Sequence, residues 1–84
     1  MNVIEWTVKA ARQLRKLDRK HQIEVRDGVE HLAAMPNCRN VKPLTNHACG
    51  YRLRIGNYRV LFNWDGGLRV IEIEEVRKRD ERTY

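Results

Sequence analysis

Three arginines, at positions 52, 54 and 59, alternate with apolar residues in the stretch YRLRIGNYRV, and Arg77 and Arg79 flank Lys78 ahead of the final Tyr84. A guanidinium offers a planar fork that fits phosphate bidentately and keeps its proton at any physiological pH. Like charges facing one another across a sheet cost free energy, so a set of one sign predicts a negative partner. On a rigid sheet such a set would grip the backbone of RNA and stabilise the charge that builds on a phosphorane transition state. RNA carries its own nucleophile, the 2′-hydroxyl beside the scissile phosphate. The protein would then have to align that hydroxyl, stabilise charge and protonate the leaving 5′-oxygen.

Composition is consistent with a polyanionic partner. The 84 residues hold 17 Lys and Arg against 11 Asp and Glu, a net charge of +6, with a pI of about 9.8. Nucleic acid, phosphate and an acidic protein all suit that balance. The length allows one domain, residues 1–84, with a small core. No apolar run approaches the roughly 18 residues of a membrane span, and MNVIEWTVKAARQL lacks the layout of a secretory signal. A cytoplasmic protein without a membrane partner is expected. Cys38 and Cys49 read as free thiols, and their spacing with His31 and His47 matches no standard zinc pattern. No metal or other cofactor is expected.

The elements that must carry the arginines follow from pattern. Asn2 to Trp6 is a short β-favouring run, and Thr7 suits a helix N-cap ahead of Val8, Ala10, Ala11, Leu14 and Leu17. Asp18 reads as a second N-cap, opening a helix to about Ala34 that buries Ile23, Val25, Val29, Leu32 and Ala33. Gly28 weakens that helix by about 1 kcal/mol. Residues 36–50 have loop composition, and then the period changes to two. Strands are expected at about 51–55, 58–64 and 68–76, joined at Gly56-Asn57 and Asp65-Gly66. The fold class is α+β: an N-terminal strand, a two-helix hairpin, then an antiparallel meander packed on the helices.

Two-residue turns fix register, so the faces can be counted out. The first turn sets Arg54 opposite Arg59, and the second would set Arg59 opposite Glu72 and Val60 opposite Ile71. Tyr51, Leu53, Ile55, Tyr58, Val60, Phe62, Ile71 and Ile73 then form the face toward the helices. Arg52, Arg54, Arg59 and Glu72 form the other. Strict alternation would put Val76 on the charged side unless a residue near Glu74-Glu75 is looped out. A bulge there returns Val76 to the core and turns Arg77 and Arg79 toward Arg59.

YRLRIGNYRVLF, a further strand, the cluster RKR and a nearby Tyr resemble the RelE/ParE superfamily of bacterial type II toxin–antitoxin toxins, in its RelE-like branch. The similarity spans nearly the whole chain. It implies a RelE-like fold, an acidic antitoxin, and operator DNA reached only through the antitoxin complex. It also implies an mRNA endoribonuclease that enters the A site of the 70S ribosome, cuts by 2′-hydroxyl attack without metal, and so inhibits translation. By position, Arg52 and Arg54 replace two lysines of RelE-type toxins, one of them implicated in activating the 2′-hydroxyl. Arg59 matches an arginine on the scissile phosphate, Arg79 the arginine after the last strand, and Tyr84 a tyrosine that stacks on a base. Arg77 and Lys78 would contact substrate, Lys78 standing where several relatives carry a histidine acid or base. Arginine is a poor proton acceptor, so Glu72 becomes the nearest candidate base, or simply the ion-pair partner of Arg59. Two other functions fit the resemblance: a ParE-like toxin that binds DNA gyrase and cuts no RNA, and an accessory that binds RNA or operator DNA.

Overall fold

The computed structural model describes residues 1–78. Strand β1, Val3–Trp6, leads through Thr7 into helix α1, Val8–Arg15. The Thr7 hydroxyl accepts the Ala10 N–H at 3.1 Å, the side-chain cap expected of that residue. Helix α2, Arg19–Glu30, tightens into a 3-10 turn over His31–Ala34. Asp18 holds the N-cap position of α2 but makes no capping bond with its side chain.

Four more strands follow: β2, Val41–Pro43; β3, Tyr51–Ile55; β4, Tyr58–Asp65; and β5, Val70–Lys78. They form one five-stranded sheet in the order β1-β5-β4-β3-β2, antiparallel except that β1 runs parallel to β5. β2 escaped the sequence reading because three residues including a proline carry no alternating pattern. It pairs with the outer edge of β3, setting Lys42 opposite Arg52.

Both helices cover one face of the sheet. Ala10, Val25, Val29 and Leu32 meet Leu53, Tyr58, Val60, Phe62, Ile71, Ile73 and Val76 in a single buried cluster. Val25, Val29 and Leu32 follow helical spacing, whereas Ile23, expected inside, falls off that stripe and is 42% exposed. Gly28 has a packing reason: a Cβ built there would run into the Ile55 side chain, so glycine lets α2 approach β3 closely.

The first hairpin has the register counted from its turn, with Ile55 opposite Tyr58 and Arg54 opposite Arg59. The second does not. Asp65 pairs with Val70, leaving a four-residue connection in which the Asp65 carboxylate accepts the N–H groups of Gly67 and Leu68 at 3.0 and 2.9 Å. Arg69 closes it with φ of 58°. The side chain of Asp65 thus builds a wider turn than a two-residue loop, and β5 starts at Val70 rather than Leu68. Glu72 consequently faces Asn63, and the expected Arg59–Glu72 pairing does not form. The bulge lies where the pattern asked for it. Phe62 pairs with Ile73 and Leu61 with Glu75, so Glu74 is the extra residue and Val76 returns to the core at 6% exposure.

Candidate functional site

Arg54, Arg59 and Arg77 stand in register on β3, β4 and β5. Directly paired residues project to the same side of a sheet, and alternation puts this row on the face away from the helices. One step along, Lys42, Arg52, Leu61 and Glu75 form the next row across β2 to β5. The face therefore gathers Lys42, Arg52, Arg54, Arg59 and Arg77. Lys42 could not be assigned from sequence because its strand was not visible. Arg52 is half-buried, and its Nε is closed off from solvent with no acceptor among the described residues. Arg59 is also half-buried, while Arg54 and Arg77 are exposed. Lys78 pairs in register with Tyr58 and so belongs to the opposite side, apart from the row. Arg79 and Tyr84 lie outside the described residues.

A carboxylate steadies the end of the row. Glu75 Oε1 accepts from Arg77 Nε at 2.9 Å and lies 3.5 Å from Lys9 Nζ, which reaches it from α1. Burial pushes the Glu75 carboxyl upward, but the Arg77 bond and the charges of Arg77 and Lys9 outweigh it, leaving its pKa below the usual value. Glu75 thus stays ionised and ties down the Nε of Arg77, leaving the two terminal nitrogens without an acceptor among the described residues. The bulge makes this possible, because it turns Glu75 and Arg77 to the side of Arg59.

Toward β1 the face changes sign. Glu5 of β1 is the register partner of Glu72 on β5, and Asn63 Nδ2 donates to Glu74 Oε2 at 3.4 Å. A hydrogen bond with Glu74, followed by repulsion from its charge, raises the Glu72 carboxyl above its usual pKa. The Cys49 thiol is raised too, by burial first and then by Glu74 and Glu75. An anionic chain on this face is thus drawn to the arginine end and repelled from the β1 end.

The carboxylate pair predicts a pH effect. Because Glu72 is raised in the fold, the folded state holds more protons than the unfolded one just above the ordinary value of 4.5. Stability therefore falls as pH rises through the Glu72 pKa. Glu72→Gln removes the repulsion, so its melting temperature should exceed the parent's at neutral pH, and the gap should close below about pH 4.5. Thermal melts of both proteins across that range test this, and an unchanged gap at acid pH would remove the Glu74 explanation.

With this geometry established, comparison with known proteins identifies the family. The family model for the ParE toxin of type II toxin–antitoxin systems matches residues 4–83. The chain belongs to this family. Several solved structures share the toxin's fold. One is the RelBE2 toxin–antitoxin complex of Mycobacterium tuberculosis, with TM-score 0.80 and 26% identity over 93% of the toxin and 98% of the matched chain. Another is the RelE–RelB complex of Pyrococcus horikoshii OT3, with TM-score 0.80 and 22% identity over 95% and 97%. The isolated Escherichia coli RelE toxin also matches, with TM-score 0.80 and 14% identity over 99% and 89%. A search of curated protein sequences returns no match. The toxin is thus a RelE/ParE-superfamily member with the expected α+β fold.

Proposed function

We propose that the toxin is a ribosome-dependent mRNA endoribonuclease that halts translation. The observation carrying this reading is the row of Arg54, Arg59 and Arg77 across three adjacent strands, with Arg52 and Lys42 one step along. That set supports the reading because it gathers the positive charge that a scissile phosphate and its transition state call for. The 2′-hydroxyl of the RNA is the nucleophile, and the arginines act through charge and position, since none readily gives up its proton near neutrality. Glu72 has no part in this reading, since its cross-strand neighbour is Asn63 and it stands two rows along the face from Arg59. Much of the substrate alignment comes from the ribosome, which presents the codon already extended.

The partner is an acidic antitoxin. Two structural relatives were solved as toxin–antitoxin complexes, and a chain of net charge +6 gains from a wrapping segment of opposite sign. The toxin acts in the cytoplasm, where mRNA is translated.

A second reading has its own support in the family match, which is to ParE toxins: binding and inhibition of DNA gyrase without RNA cleavage. The two separate cleanly when one preparation is added to a purified translation system and to a gyrase supercoiling reaction. The nuclease reading expects translation to stop at toxin concentrations that leave supercoiling intact. Blocked supercoiling with normal translation would establish the gyrase reading instead.

A further inference from the structure

A cleft of about 520 Å³ opens where the last turn of the helical layer and the segment Asn37–Asn40 meet the edge of β3. Its volume falls within the roughly 300–1,000 Å³ of small-molecule sites. Arg54 is part of the lining and also begins the arginine row, so the cleft lies beside the β3 end of the row, round the sheet edge on the helix side. Arg39 is the second cation of the lining, His31, Asn37 and Asn40 add polar groups, and the apolar part comes from Leu53 and Ile55. Among the described residues no carboxylate lines it, although Glu24 lies against Gly56 at one end.

We propose that this cleft is a nucleoside subsite, taking the base of the RNA nucleotide next to the phosphate held by the arginine row; the assignment rests on the nuclease reading above. The chemistry suits that occupant. Unstacked RNA bases are recognised by packing against apolar, imidazole or guanidinium surfaces and by hydrogen bonds to their edges. Ile55 and His31 supply the first, Asn37 and Asn40 the second, and Arg39 with Arg54 a place for the linking phosphate. The acidic β1 end repels the backbone, so the strand leaves the row on the β3 side, where the cleft lies. A peptide adding itself as a β-strand is less well served at this point. The Arg54 N–H already donates to Asn40 O at 3.0 Å, so the β3 edge has no donor left there for an incoming strand.

The test is amide NMR on the free toxin, titrated separately with a 2′-O-methyl diadenosine monophosphate, inorganic phosphate, and a short peptide of Glu and Leu. The dinucleotide should move the signals of Asn37, Cys38, Asn40, Leu53 and Gly56, while phosphate at equal concentration moves only those of the row. Arg39→Ala should raise the dinucleotide midpoint about fivefold or more, the scale of one charge-assisted contact. Ala34→Leu, at an exposed lining position, should silence the cleft signals yet keep the phosphate response, which shows that the fold is intact. Dinucleotide shifts confined to the row, or midpoints unchanged in both variants, would overturn the subsite. So would a peptide that moves the cleft signals when the dinucleotide does not, which would assign the cleft to a protein partner. Because binding is read apart from cleavage, a toxin that fails to cut mRNA while its cleft responds contradicts the nuclease reading alone. A silent cleft in a toxin that cuts contradicts the subsite alone.

Discussion

Arg59→Ala is expected to slow cleavage of ribosome-bound mRNA by about a hundredfold or more, the scale lost when one donor to a developing oxyanion is removed. Arg59 is the centre of the row, flanked in register by Arg54 on one side and Arg77 on the other. A phosphate bound across the row meets it whichever neighbour it also engages. The variant should stay folded, because Arg59 faces away from the helix layer and the cluster beneath the sheet is complete without it. Single-turnover cleavage by parent and variant, with circular dichroism to verify the fold, gives the answer. Parental rates in a folded Arg59→Ala protein would mean that the row is not the catalytic face.

Phe62→Ala should destabilise the protein by about 3–5 kcal/mol, the usual result of emptying a large buried aromatic site. Phe62 is 0% exposed, and its ring stacks on Tyr51 with centroids 5.5 Å apart. It also pairs with Ile73 immediately before the bulge, so the cavity would open where the register of β5 is set. A domain of this length has about 4–12 kcal/mol in all, and the substitution removes a large part of it. Leu68→Ala is the control, since that side chain is 75% exposed and the change should stay within about 0.5 kcal/mol. Urea unfolding midpoints distinguish the two, and equal midpoints would contradict the placement of the core.

The parts of the fold that could be read from sequence are those written in local chemistry. Thr7 before an amphipathic run and Gly56-Asn57 between alternating segments each specify their geometry within a few residues. The bulge was legible for a similar reason: Val76 had to be buried, and one extra residue is the only way to turn it inward. The parts that could not be read depend on contacts distant in sequence or on a side chain acting as backbone. β2 exists because β3 offers an edge, and its own Val41–Pro43 shows no period. The Asp65 turn exists because a carboxylate captures two amides, which moved Glu72 away from Arg59 and changed the chemistry assigned to it. Arg52, Arg54 and Arg59 were visible as one face because they belong to one hairpin. Lys42, Glu75 and the Lys9 contact that holds it came only with the assembled sheet.

The central claim is that the arginine row acts on mRNA presented by the ribosome, and mapping the ends of one mRNA after exposure to purified toxin tests it most directly. The account predicts cuts within the reading frame when the message is being translated, and intact RNA when the ribosomes are left out. Full-length message in both reactions, at toxin concentrations that stop cell growth, would contradict it.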